Sequence, residues 1–251
     1  MFFSTFLIAV REIRRNLMRA FLTVLGIVIG VAAVITMVTL GRGATETIKS
    51  QVSNLGSNLL VLRPGQGFGR GGGGGAPQFS TEDAKIITEQ VGSLNAVAPV
   101  DQAPFNTGYL TKARNTNISG TFPDYFTIGK WKIADGRFFD EADTREGRAV
   151  CVIGQTVKRE LFGEADPVGQ RIRIKNSSIM VVGVLAAKGQ TGFGQDQDDT
   201  IVIPLTTFAR RIKGQASLRS IDQIMISGAD GSSSAAIISE ITSLMRLRRN
   251  L

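Results

Sequence analysis

From Ala20 to Leu40 the chain reads "AFLTVLGIVIGVAAVITMVTL", 21 consecutive residues without a charge. A helix of that length spans about 30 Å, the thickness of a bilayer's hydrocarbon core. The apolar core of a cleavable signal sequence is only about 7–15 residues long, so the pattern predicts an uncleaved transmembrane helix over 20–40. On both sides the pattern turns amphipathic. Phe3, Phe6, Val10, Ile13 and Leu17 recur at steps of three and four, with Arg11, Arg14 and Arg15 mostly on other faces. Residues 1–19 therefore read as a helix lying in the cytoplasmic surface of the membrane, or as a plain basic flank of the anchor. Beyond Leu40, the spacing of Ile48, Val52 and Leu55 stays helical as far as Gly56, so 41–56 reads as a stalk that continues the membrane helix outwards.

After the stalk the periods shorten. "NLLVLRP" is a strand pattern ended by Pro64. A helix is expected from Ser80, with Ser80 as N-cap and Asp83 three positions later in a near capping box. Ile86, Ile87 and Val91 form its apolar side, and Gly92 is the expected stop. "AVAPV" resumes extended chain. Near the other end, "IDQIMISG" reads as a strand and "SSSAAIISEITSLMRLRRN" as a helix with Ile237, Ile241, Leu244 and Met245 on one face. Its closing arginines complement the helix dipole and read as a solvated helix end. This β-α-β…β-α order is one strand short of a βαββαβ sandwich.

The middle differs in texture. "RIRIKNSSIMVVGVLAA" alternates and then turns apolar, a hairpin with its turn expected at Asn176–Ser177. "TIVIP" is a further strand, and short helices fit "QTVKRELFG" and "LTTFARRI". The expected fold class is α+β. An N-terminal transmembrane helix and stalk lead to a βαβ-type lobe built from 57–105 and 221–251, with a mainly-β lobe, 106–220, inserted between.

Charge places the chain relative to the membrane. Lys and Arg exceed Asp and Glu by 29 − 21 = +8, of which the group at 11–19 carries +3 and Arg246, Arg248 and Arg249 another +3. A nucleic-acid-binding face needs a dense basic stripe on a folded surface, and this distribution excludes one. The four arginines before the span place the N-terminus in the cytoplasm and the remaining residues outside it. Gly26 and Gly30 make a G-x-x-x-G pair, which lets a second membrane helix approach closely.

Candidate chemistry is sparse. The chain has no histidine, which removes the commonest general base, the usual catalytic triads and most zinc sites. The single Cys151 sits in "AVCVIG", a buried-strand pattern, and reads as a small core residue. Gly67, Gly69 and Gly72 satisfy G-x-G-x-x-G, but "GGAPQF" separates them from the helix whose N-terminus should receive a phosphate. No Lys-Ser or Lys-Thr follows, so there is no Walker loop. Residues 65–79 read as a disordered glycine-rich loop, and no cofactor is expected. Asp196, Asp198 and Asp199 resemble the start of a calcium loop, without the glycine and glutamate that complete one, and read as a solvated acidic loop. Asp135, Asp140, Glu141 and Asp143 flank "GRFF" and could suggest a carboxylate pair, although turn and N-cap duty accounts for them. No metal site and no catalytic residue is assigned.

Several segments resemble the MacB-type ABC transporter permeases. "LMRAFLTVLGIVIGVAAVI" is similar to that family's first membrane helix. "FPDYFTIGKWKIADGRFFDEAD", "AVCVIGQTVKRELFGEADPVGQRIRI" and "DQDDTIVIPLTTF" resemble its periplasmic core domain in the same order. The resemblance implies porter and sabre lobes for the two outer portions. It also implies a location in the bacterial inner membrane and transmission of cytoplasmic ATP hydrolysis to movement of the outer domain. The implied partners are a separate ABC ATPase subunit, a second permease copy, a periplasmic adaptor and the lipid bilayer, and ATP would enter only through the ATPase. The family usually has three more membrane helices after the outer domain, which this sequence does not contain, so it reads as a truncated permease, part of a split one, or a tethered domain. A related alternative is a non-transporting interaction module of FtsX type. An anchored extracytoplasmic enzyme is the third reading, and the lack of a paired site weighs against it.

Overall fold

The computed structural model describes residues 14–55, 59–65, 77–191, 194–214, 220–229 and 231–249. The amphipathic segment before residue 14 and the glycines at 67, 69 and 72 lie outside the described residues. Two compact units divide the chain at 51/52.

Helix α1, Leu17–Leu55, runs without a break through the predicted span and stalk. Every side chain described between Phe21 and Arg42 is exposed. A helix that is apolar all round must be covered by protein or by lipid, and no described residue covers this one. Leu17–Arg42 is the one described segment long and apolar enough to cross a bilayer. Its threonines fit that setting. Thr23 donates to the Arg19 carbonyl at 2.8 Å, Thr36 to Ala32 at 2.8 Å and Thr39 to Ile35 at 2.7 Å, so these hydroxyls find partners on the helix itself.

The second unit is built on one nine-stranded sheet, β1 Leu59–Leu62, β2 Leu94–Tyr109, β3 Lys112–Thr121, β4 Ile133–Gly136, β5 Val150–Ile153, β6 Arg171–Ile174, β7 Ser177–Leu185, β8 Thr200–Pro204 and β9 Gln223–Gly228. The order is β1-β9-β2-β3-β8-β5-β7-β4, with β6 paired to both β2 and β7. Most pairs are antiparallel, but β3 with β8 and β5 with β7 are parallel. The lobe boundary read at 105/106 falls inside β2. That strand pairs with β9 through Val100 and with β3 from Val100 to Tyr109.

Helices cover the β1-β9-β2 end. Helix α2, Thr81–Gln90, begins at the predicted capping box: Ser80 Oγ accepts from the Asp83 amide while Asp83 Oδ2 accepts from the Ser80 amide. It ends at Val91 in extended conformation rather than at Gly92, because the Val91 amide still reaches the Ile87 carbonyl and its side chain is buried. Helix α7, Ser234–Arg249, lays Ile237, Ile241 and Met245 against Ile87, Ile224 and Ile226, the face expected from its spacing. Arg246 is exposed as expected, but the other two closing arginines have partners in the fold. Arg248 Nε pairs with Asp83 Oδ1 at 2.7 Å, and Arg249 donates to the Pro77 carbonyl and lies over the Phe79 ring.

Over the rest of the sheet β5 is buried on both faces, while β3, β4 and β6 keep exposed residues. Short helices α3 (Asp124–Ile128), α4 (Glu141–Glu146), α5 (Gln155–Val157) and α6 (Leu205–Thr207) connect its strands, the last two running on into π-helical turns at Lys158–Phe162 and Phe208–Lys213. In β5, Cys151 and Ile153 join the core beneath Val157, Leu161 and Phe208, while Val150 and Val152 join that of Phe126 and Phe139. A strand buried on both sides reads as a continuous apolar run, which is why "AVCVI" does not alternate.

The β6–β7 turn is Lys175–Asn176, one residue earlier than the pattern suggests. Lys175 takes the left-handed conformation that Asn tolerates more easily (φ 51°). Its amine compensates by donating to the Ile212 carbonyl at 3.0 Å and capping the Phe105 ring at 4.5 Å.

Thr107 on β2 is fully buried, and its hydroxyl has no hydrogen-bond partner. Valine has the same shape without the stranded donor. Thr107→Val is therefore expected to stabilise the chain by about 1 kcal/mol, raising Tm by roughly 2–4 °C in a thermal melt of the purified protein. A lowered Tm would show that the hydroxyl is bonded after all.

Candidate functional site

The membrane helix carries the predicted pair Gly26 and Gly30 one turn apart. A Cβ built on either would meet nothing within 4 Å, so the pair leaves a bare notch on the helix surface. A second helix can approach backbone to backbone there, where larger side chains elsewhere would hold it off.

In the outer unit most of the predicted acidic residues are brought into bonds rather than into one shared centre. Asp140 is the N-cap of α4, its Oδ1 accepting from the Asp143 amide at 2.8 Å, and Asp143 Oδ2 accepts from the Asp140 amide in return. Asp143 is fully buried and also accepts from Arg137 at 2.8 Å and Arg148 at 3.3 Å. Burial alone would raise its pKa, but the bonds from Arg137 and the Asp140 amide more than offset this and hold it below the ordinary value. Asp135 and Glu141 are exposed.

The 196–199 segment is not a solvated acidic loop. Asp196 Oδ2 accepts from Thr156 at 2.7 Å, and Asp198 is buried with its two oxygens accepting from the Lys188 and Gly189 amides. Asp199 takes a two-pronged bond from Arg114 at 3.1 and 2.8 Å. The three carboxylates serve β3, α5 and the loop after β7 rather than one common centre. No three His, Cys, Asp or Glu side chains converge as metal ligands among the described residues. Cys151 is fully buried, and burial pushes its thiol pKa up, away from the reactive thiolate.

Two clusters have no local signature in the sequence. Lys188 Nζ lies 3.6 Å from the centroid of Trp131 and donates to the Gly129 carbonyl. Burial lowers its pKa to about 8, with Asp198 opposing. Asp101 on β2 is buried beside Lys213 and Asp222, which lie 112 and 121 residues further along the chain. The one available hint was a charge placed inside the apolar strand "AVAPVDQAPF".

The residues quoted for the family resemblance hold the outer unit together. Gly136 has φ 77° and lies against the Val182 carbonyl, Arg137 binds Asp143, and Phe138 and Phe139 pack on Phe126. Gly154 lies against the Asp198 carbonyl, and Gln155 donates to Leu185 at 2.9 Å. Asp166 accepts from the Val168 amide, and the Gly169 amide (φ 83°) reaches Val181. In these segments the glycines set close backbone approaches, and Asp143 is a buried carboxylate held by arginines.

The family model of the MacB-like periplasmic core domain matches residues 20–244, helix and outer unit together. This chain belongs to that family. A macrolide export ATP-binding/permease protein MacB from Syntrophobacter fumaroxidans is 38% identical over 245 residues, covering 95% of this chain and 33% of its own length. One from Rhodospirillum rubrum is 42% identical over 216 residues, 84% of this chain and 32% of its length. The chain thus spans about a third of the curated relatives it matches. In fold it is similar to the periplasmic region of MacB from Actinobacillus actinomycetemcomitans, with a TM-score of 0.66, 21% identity, and coverage of 79% of this chain and 87% of that one. The extracellular domain of the ABC-type transporter YknZ from Gram-positive bacteria follows at a TM-score of 0.59 and 17% identity, over 69% and 85% of the two chains. Membership of the MacB-like family and the exposed apolar helix together describe a membrane-anchored chain with an extracytoplasmic domain.

Proposed function

We propose that this chain is the permease part of a MacB-type ABC exporter. It sits in the bacterial inner membrane with its N-terminus cytoplasmic. Helix α1 carries the effect of ATP hydrolysis by a partner ATPase to the outer domain, whose movement drives extrusion on the far side. The observation that carries this reading is the family match running unbroken from the membrane helix through the outer unit. Relatives named as ATP-binding/permease proteins support a chain that works with an ATPase, and the notch at Gly26 and Gly30 supports pairing with a second copy. The outer domain is assigned porter and sabre portions and a periplasmic adaptor as partner. Substrate binding is assigned to no residue.

Affinity purification of the full chain from its native membrane tests the reading. An ABC ATPase and a second copy are expected with it. A cell-wall hydrolase recovered without any ATPase would replace the exporter with the FtsX-type module. In the same preparation, replacing both Gly26 and Gly30 by Leu should cut crosslinked dimer about tenfold, equivalent to about 1.4 kcal/mol. Val28→Leu, about 200° round the helix from Gly26, should leave dimer unchanged. Undiminished dimer in the double variant would remove the glycine pair from the interface.

A further inference from the structure

Two-residue turns close two hairpins of the sheet, Leu110 and Thr111 between β2 and β3, and Lys175 and Asn176 between β6 and β7. The first residue of each turn is held at nearly the same left-handed angle, φ 50° at Leu110 and 51° at Lys175. Glycine or asparagine takes that conformation with least strain. At Lys175 the fold offsets the strain, because the amine bonds the Ile212 carbonyl and caps the Phe105 ring. Leu110 has no such compensation. Its side chain is 88% exposed, so a large apolar group stands in water on a strained backbone.

The tip that carries it is rigid. An unbroken ladder joins β2 to β3 from Val100 with Thr121 to Tyr109 with Lys112. β6 pairs with β2 at Thr107 and Gly108, and the Tyr109 ring lies 4.2 Å from that of Phe162. Behind the tip one face of the sheet is polar and open. Asn106 lies opposite Asn115, and Arg173 of β6 lies opposite Gly108. Asn106, Asn115 and Arg173 are exposed, as are Arg171, two positions along the same face of β6, and Lys112 at the foot of the turn. Lys112, Arg171 and Arg173 form no ion pair among the described residues. On the adjoining segment, 158–166, Glu160 is engaged by Arg114 and Arg159 and Asp166 by the Val168 amide, which leaves Glu164 to oppose three cations.

We propose that the β2–β3 tip is a docking knob for a partner protein on the outer side. Leu110 enters an apolar pocket of the partner, and Lys112, Arg171 and Arg173 bind acidic residues on the pocket's rim. One leucine is too little apolar surface to hold a bilayer, whereas a single anchor side chain ringed by polar contacts is a common centre of a protein interface. A tip already held in place loses little freedom on docking. Burial of Leu110 in the partner supplies the compensation that this chain does not. The knob is independent of whether the chain serves an exporter or an FtsX-type module.

A benzophenone amino acid placed at the exposed Thr111 of the full chain, in its native membrane, tests this. The expected product is a crosslink to a protein, on a peptide that carries Asp or Glu beside apolar residues. Leu110→Asn, and Arg171→Glu combined with Arg173→Glu, should each lower its yield about tenfold. The same probe at Lys85, exposed on α2, should not form it. Leu110→Asn should also melt no lower than the wild type, because asparagine tolerates the turn and no contact within the chain is lost. A crosslink to lipid alone, to a second copy alone, to a peptide without acids, or to nothing would overturn the knob. So would a protein crosslink that the variants leave undiminished, or a Leu110→Asn protein that melts below the wild type, which would give Leu110 a role in the fold instead.

Discussion

Gly183→Ala is expected to destabilise the outer unit by about 3 kcal/mol or more, the upper end of the range for overpacking, because its new methyl group meets backbone that has nowhere to move. A Cβ at Gly183 would lie 2.2 Å from the Arg137 carbonyl oxygen and 3.0 Å from the Arg137 nitrogen. The closeness has a topological cause. β7 is irregular here: Cys151 pairs with Val181 but Val152 with Gly183, so one extra residue is accommodated. On the opposite edge Gly136 pairs with Gly183, and the Arg137 amide donates to Val182 at 2.9 Å. Two strands thus touch backbone to backbone at a pair of glycines, and Gly136 is further fixed by its positive φ. For a unit of about 200 residues the loss corresponds to a Tm lower by roughly 6–12 °C. Gly92→Ala is the matched control, with open space around it, and should shift Tm by no more than about 1–2 °C. A Gly183→Ala protein that melts with the wild type would mean that β4 is not held on β7 in this register.

The contrast between those two glycines shows what local pattern conveys. Gly92 looks decisive because it follows a helical stretch, yet the cap falls on Val91. Gly183 looks incidental inside "MVVGVLAA", yet it sets the distance between two strands. Signals carried by neighbouring residues were legible: the unbroken apolar run of α1, the Ser80–Asp83 box, the one-sided face of α7 and the doubly buried β5. Strand β3 was not, because "KARNTNISGT" presents polar residues on its open face and gains its parallel partner β8 from about 80 residues away. The candidate-site residues divide in the same way. The placing of Gly26 and Gly30 one turn apart follows from spacing alone, whatever packs there, whereas Asp199 looks solvated until Arg114, 85 residues earlier, is seen to grip it. Arg248, Lys188 and Asp101 repeat the lesson: a charge read against its neighbours looks exposed, and the tertiary fold supplies the counterpart.

Asp143→Asn is expected to cost about 2 kcal/mol near neutral pH, and the deficit should shrink as the solution is made acidic. The carboxylate is fully buried and closes three contacts at once, to the Asp140 amide, Arg137 and Arg148. Breaking a buried ion pair often costs about 3–5 kcal/mol. Both arginines are about half exposed, at 50% and 52%, and can be hydrated when the charge is lost, so the smaller figure applies. The sign of the pH effect follows from the direction of the shift. Asp143 is held below its ordinary value, so the unfolded chain binds its proton first. The stabilisation is complete above the unfolded value of 3.8 and is lost as pH falls towards the folded one. Asp83 acts in the same sense, its bonds to Ser80 and Arg248 outweighing the effect of burial. Asp101 acts in the opposite sense, favouring the folded chain as pH falls through about 6. Wild-type stability should therefore be greatest between the two, at mildly acid pH, and fall away on both sides. Denaturant titrations of wild type and Asp143→Asn across this range would read both effects. Curves that stay parallel into strong acid would show that the Asp143 charge contributes nothing, leaving only its shape and its hydrogen bond to the Asp140 amide.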